Sequence, residues 1–293
     1  MQFALPWNDR LGRFAPLKAL ALAGVIAPGL WIGGHWLNGT LGAKPLEVAL
    51  HETGLWAIRI LLVALAITPF RLITGWGKLL QIRRILGVSA LVYVLIHLTL
   101  YVIQQKYDLY VVAREIVLRF YLTIGFVSLA AMLALGLTST DGAIRRMGAA
   151  RWQKLHRLVY PLAALGIFHA FLQAKINVNE EVIQFGLFLV LMAVRVMRSR
   201  VPLTFWPLVG LVILSMPITA GLEALWYGLA TGVPWRRVLD ANFMLALAPR
   251  PALWTGIIAL ALPLASLLSH RASNAGTPRA RSDRVQPTTG VHP

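Results

Sequence analysis

The sequence predicts an all-α fold: a polytopic bundle of membrane-spanning helices. Of its 293 residues, 58% are apolar and only 13% are Asp, Glu, Lys or Arg, against about 25% charged residues in soluble domains. The mean hydropathy is +0.68. The apolar residues fall into runs separated by short loops, each near the ~20 residues a helix needs to cross hydrocarbon. Spans and loops use up the length, so no separate soluble domain of ordinary size fits.

Eight spans are expected, at 17–37, 54–70, 85–104, 116–138, 155–173, 182–200, 203–222 and 251–269. The first is long enough to cross and has no small-residue cleavage site, so it does not read as a removable signal. The second carries Arg59 early in its run, and the third leaves Arg83-Arg84 into ILGVSALVYVLIHLTLYV. The fifth contains Pro161, which is placed to kink it. Six spans make a core over residues 1–201, and residues 202–270 add two more. The stretch between those last two mixes Trp, Arg and apolar residues, as in an amphipathic segment at the membrane interface. Residues 271–293 are polar, basic and Pro/Gly-containing, the composition of a disordered tail.

The net charge of +17 reads as topology and lipid contact rather than nucleic-acid binding. With the N-terminus in the cytoplasm, 18 of the 28 basic residues fall on the inside and 8 on the outside, with Arg59 and Arg157 within spans. This imbalance predicts N-in and C-in. The chain has no cysteine, which excludes disulfides, Fe–S clusters and covalent attachment of haem through thiols.

Three histidines lie in the apolar runs: His97, His156 and His169. An ionisable side chain in a span marks a functional site by default, and imidazole is an axial ligand of haem iron. His97 is 13 residues beyond Arg84 and His169 is 15 beyond Lys154. At 1.5 Å per residue they lie ~20 and ~22 Å up their helices. Their depths match within a turn, the arrangement that grips one haem from both faces. His156 sits at the inner boundary, and in a straight helix it points about 140° away from His169. Plainer roles stand beside these: a hydrogen-bonded packing residue, or a headgroup-level residue for His156. Arg59 is a candidate partner for haem propionates, or it snorkels to the headgroups. His35 and His51 read as interfacial, and His270 and His292 as tail residues.

The runs LGAKPLEVALHETGLWAIRILLVALAITPFR, RRILGVSALVYVLIHLTLY and GLTST…RRMGAARWQKLHRLVYPLAALGIFH resemble the MsrQ (YedZ) family, part of a ferric-reductase-like transmembrane group that includes NADPH oxidases and metalloreductases. The resemblance covers about residues 40–200. It implies a b-type haem (heme b) and, as in some members, FMN. It implies electrons from quinone or a cytoplasmic flavin reductase, passed to a periplasmic molybdopterin partner of the MsrP type that reduces oxidised methionine. It places the protein in the bacterial inner membrane. Carried over by position, His97, His156 and His169 fall on the family's haem histidines. NADPH oxidases carry two histidines on each of two helices. Here Arg83 stands 14 residues before His97, and a guanidinium cannot ligate iron. His156 is thus left to hold a weaker second haem, to exchange with a neighbour, or to help a flavin or quinone.

The expected role is electron transfer without a catalytic residue of its own. No Gly-rich nucleotide loop between a strand and a helix is evident. The basic loops 71–84 and 141–154 suit a flavin phosphate or an acidic donor, or serve topology alone. Two alternatives remain: a ferric or other metalloreductase, and a transporter using the histidines as proton relays. The second is disfavoured because the acidic residues lie mostly in loops and at span ends.

Overall fold

The computed structural model describes residues 5–8, 11–244 and 248–275, the last seven through their backbone alone. Most of the segment expected to be a disordered tail, with Arg279, Arg281, Arg284 and His292, lies outside the described residues. Its first part does not follow that expectation: residues 271–275 are helical. Among the described residues there are α-helices and no strand, with one isolated bridge between Asn8 and Phe14.

The helices run in the order α1 (Pro16–Leu37), α2 (Pro45–Thr74), α3 (Leu80–Gln104), α4 (Leu109–Leu118), α5 (Phe120–Leu137), α6 (Asp141–Met147), α7 (Ala149–His156), α8 (Val159–Ala174), α9 (Asn179–Met197), α10 (Phe205–Ala230), α11 (Trp235–Phe243), α12 (Pro251–Ala259) and α13 (Ala261–Ala275). Their ends follow local chemistry. Pro16, Pro45 and Pro251 open α1, α2 and α12, where a missing N–H costs nothing. The Asp108 carboxylate accepts from Val111 N at 3.0 Å and the Thr140 hydroxyl from Ala143 N at 3.1 Å, capping α4 and α6. Gly75, at φ 71°, closes α2 in the left-handed conformation that glycine adopts freely.

Among the described residues, seven helical segments are long and apolar enough to cross a membrane, so the chain is a multi-pass membrane protein. The sixth expected span falls on α9, whose 19 residues carry Glu180 and Glu181 at one end and Arg195 at the other. Several boundaries depart from expectation. Helix α2 has 30 residues, ~45 Å, and begins nine residues before the expected span because its polar first turns stay helical beyond the apolar run. The expected fourth span is broken at Arg119, which is extended at φ −104°, ψ 107°, so α4 is separate from α5. The expected fifth span is broken at Arg157–Leu158. Pro161 lacks an N–H and its ring crowds the carbonyl of Arg157, four residues earlier, so the regular hydrogen-bond run breaks between α7 and α8 while Arg157 and Leu158 keep a helical backbone. Residues 223–230, expected at the interface, instead continue α10.

Helices α2 and α3 pack closely along their length, as do α5 and α8, and the two pairs face each other. Their core holds Leu61, Ala90, Leu162 and Ile167, all buried. Helices α9, α10, α12 and α13 form a second group around Val194, Leu208 and Ala259, which docks on α2. Leu20, Leu30, Leu214 and Leu225 are exposed, as suits a lipid-facing surface.

Candidate functional site: a paired-histidine cavity

His97 on α3 and His169 on α8 face each other with ring centroids 6.5 Å apart and planes at 89°. Each ring is held by a carbonyl of a helix other than its own. His97 Nδ1–H donates to Leu50 O on α2 at 2.8 Å, and His169 Nδ1–H donates to Tyr121 O on α5 at 2.8 Å. A carbonyl can only accept, so each Nδ1 carries the proton and each Nε2 keeps a free lone pair. That is the ligating tautomer, fixed by an outer partner.

The spacing is a test of fit. With metal–nitrogen bonds of ~2.1 Å and a ring centre ~1.1 Å beyond each nitrogen, two imidazoles on opposite sides of one metal ion have centroids ~6.4 Å apart. Among the described residues no group of three or more His, Asp or Glu could hold a bare ion. Two histidines suffice for a haem, whose macrocycle fills the other positions. The cavity they line measures about 540 Å³, within the ~300–1,000 Å³ usual for cofactor sites. The residues fit the group.

Two glycines allow this approach. A Cβ on Gly54 would lie 3.0 Å from His97 Nδ1, and one on Gly125 would lie 2.8 Å from both Nδ1 and Cε1 of His169. In each case the glycine stands four residues after the accepting carbonyl, as Leu50 then Gly54 and Tyr121 then Gly125. A helical side chain covers the turn N-terminal to its own Cα, so glycine at that position uncovers the carbonyl for the incoming ring. Tyr93 repeats the device: its hydroxyl donates to Val25 O at 2.8 Å, and a Cβ on Gly29 would lie 3.1 Å from that oxygen.

His156 stands apart from this pair. It ends α7, stacks on Trp152 with centroids 4.0 Å apart, and places Nε2 3.2 Å from the Thr138 hydroxyl. Trp152 Nε1–H donates to Thr138 O at 2.9 Å. With Arg83, Arg84 and Ser139, His156 lines a smaller cavity of about 300 Å³ near the opposite end of α3. Leu61, Met132 and Leu162 line both cavities and form an apolar partition between them. Arg84 is paired with Asp141 at 2.6 Å.

Arg59 lines neither cavity. Its guanidinium meets Glu180 at 2.9 Å and Glu52 at 3.8 Å and lies 4.8 Å above the Trp56 ring. The expected propionate partner is thus engaged in linking α2 to α9. The cation that does line the larger cavity is Lys175. His51, expected at the interface, lines it too, as does Glu181, which is 1% exposed and has one carboxylate oxygen without a hydrogen-bond partner. Sequence reasoning missed Gly54, Gly125, Lys175 and Glu181. The glycines' spacing from the accepting carbonyls is a backbone relation that no residue type announces.

A family model described as "Ferric reductase like transmembrane component" matches residues 53–167. A protein-methionine-sulfoxide reductase heme-binding subunit MsrQ from Rhodospirillum rubrum is 41% identical over 193 residues, covering 66% of this chain and 90% of the relative. Those from Caulobacter vibrioides and Xanthomonas axonopodis pv. citri are 38% and 36% identical, covering 59% and 62% of this chain and 83% and 86% of the relatives. No solved structure matches significantly. With this identity spread over nearly the whole of the Rhodospirillum relative, the chain belongs to the MsrQ family.

Proposed function

We propose that this protein is a b-type haem electron-transfer subunit of the bacterial inner membrane, delivering electrons to a periplasmic methionine sulfoxide reductase of the molybdopterin type. The observation that carries this reading is the pair of imidazoles, held 6.5 Å apart in the ligating tautomer. His97 and His169 would hold the iron, and two ligating imidazoles would suit it to electron transfer rather than to oxygen binding. The group supplies one-electron chemistry when bound. His156, with Arg83 and Arg84, lines the cavity that would seat the electron donor at the cytoplasmic end, a quinol or the flavin of a reductase. The basic side chains there suit a flavin phosphate such as that of FMN. Leu61, Met132 and Leu162 separate this entry from the outer cavity without polar groups that would admit water.

The test is the absorption spectrum of the purified protein, oxidised and then reduced. Sharp α and β bands on reduction are expected. Folded protein made with adequate haem supply yet lacking those bands overturns the reading. The description of the matched family favours one alternative, reduction of an external ferric chelate. Turnover of a chelate without any protein partner would support that instead.

A further inference from the structure

The structure assigns a second anchor in the larger cavity: we propose that Lys175, set by the C-terminal helices, binds a carboxylate there, namely a propionate of the haem that His97 and His169 hold. The inference rests on the proposed haem reading. It concerns residues outside the 53–167 match.

Lys175 ends α8 at φ 56°, ψ −76°, with Ile176 N donating to Ala174 O at 2.7 Å. This is the rare, left-handed γ-turn, a conformation that suits glycine and strains a lysine. Such residues persist where their surroundings hold them, and they cluster at ligand clamps. Two side chains of α10 do the holding. Tyr227 Oη–H donates to Ile176 O at 2.7 Å, and Trp226 Nε1–H donates to Lys175 O at 3.4 Å. Trp226 also lies against Phe171 with ring centroids 5.1 Å apart, and Val178 seals the loop at 0% exposure.

The turn keeps Lys175 at the wall of the cavity that both histidines line. It is the one Lys or Arg among the lining residues, and its ammonium makes no ion pair among the described residues. The two acids of the wall, Glu47 and Glu181, do not occupy it: Glu47 is paired with Lys44 at 3.0 Å, and Glu181 is buried. A strained backbone, a double clamp and an unpaired cation converge on a cavity whose cofactor carries carboxylates. Arg59, another cation at this end, is already engaged by Glu180 and Glu52.

A fixed positive charge beside a haem favours the reduced state, so the readout is the midpoint potential of the full-length, haem-loaded protein. Lys175→Gln is expected to lower the reduction equilibrium constant about tenfold, ~59 mV for one electron, with haem content kept. Lys175→Arg should retain the parent potential. Lys175→Gly relieves the turn yet should shift the potential as Lys175→Gln does, which separates charge from backbone comfort. Trp226→Phe combined with Tyr227→Phe should shift it in the same direction by less. Haem dimethyl ester has no carboxylate for the ammonium to pair with, so parent and Lys175→Gln apoproteins should bind it equally, whereas the parent should bind free haem more tightly than Lys175→Gln does. A parent that shows no such preference for free haem overturns the propionate assignment. Haem-loaded Lys175→Gln and Lys175→Gly proteins with the parent potential overturn the anchor alone, whereas a parent protein without haem overturns the site reading itself.

Discussion

At the scale of single residues, the site depends on what is missing as much as on what is present. His97→Ala and His169→Ala should each abolish the principal haem bands; full retention by both variants would show that the ligands lie elsewhere. The glycines make a sharper prediction. Gly125→Ala puts a methyl group 2.8 Å from the His169 ring, which must turn and lose its bond to Tyr121 O. Loss of an outer partner of a ligating histidine weakens metal binding by ~10–100-fold. Gly125→Ala protein should therefore lose haem on dilution or competition at least ~10-fold more readily than the parent, and Gly54→Ala should act on His97 in the same sense. Equal retention would mean that the clamp is dispensable. The three histidines were legible in the sequence because ionisable groups stand out in apolar runs. Their carbonyl partners were not, since every residue carries a carbonyl and only the packing of α2 on α3 and of α5 on α8 selects two of them.

At the scale of elements, the order of spans was legible while their ends and breaks were not. Hydropathy reports where lipid can lie, and α2 stays helical beyond that limit because nothing in Pro45–His51 breaks it. Arg119 interrupts one expected span, and Pro161 interrupts another where, lacking an N–H, it leaves the Arg157 carbonyl to accept from Tyr160 N at 3.2 Å instead. The break lets His156 turn toward the smaller cavity independently of His169. Pro161→Ala should join α7 to α8, disturb reduction from the cytoplasmic side and spare the bands of the paired-histidine haem. A matching loss of both would show that the two helices act as one. The acidic residues of the spans were also read incompletely. Glu223 on α10 is fully buried, accepts from Asn242 Nδ2 at 2.6 Å and pairs with Arg250, while Asn242 Oδ1 accepts from Ala252 N at 3.2 Å. This network ties α10, α11 and α12 together. Glu223→Ala deprives Arg250 of its carboxylate and leaves Asn242 Nδ2 with Val238 O alone, at a cost of about 1–3 kcal/mol, discounted toward the lower end because Arg250 is partly exposed. A fall of several degrees in the Tm of the detergent-solubilised protein is expected, and an unchanged Tm would show that the network is incidental.

At the scale of the whole molecule, sidedness sets the direction of electron flow. The chain lacks cysteine, so a single introduced thiol reports without background. Lys78 and Lys106 flank opposite ends of α3. In intact cells, Lys106→Cys should react with a membrane-impermeant maleimide and Lys78→Cys should react only after lysis. The opposite pattern would invert the direction of electron flow. Helices α10, α12 and α13 were legible as two extra spans but not as a support for the core. Its contacts at Lys175 and Ile176 come from Trp226 and Tyr227, in a stretch whose aromatic character reads equally as an interfacial belt.

The two imidazole clamps have one more consequence. His97 is fastened to α2 and His169 to α5, so α2 with α3 makes one leaf and α5 with α8 makes the other. A cofactor gripped by both rings is the pin through the two leaves. Separating the leaves withdraws the pin, and a ligand that binds only the closed form stabilises it by RT ln(1 + [L]/Kd). If the paired imidazoles grip haem as proposed, cofactor supply during biogenesis would add to how firmly the newly inserted bundle is shut.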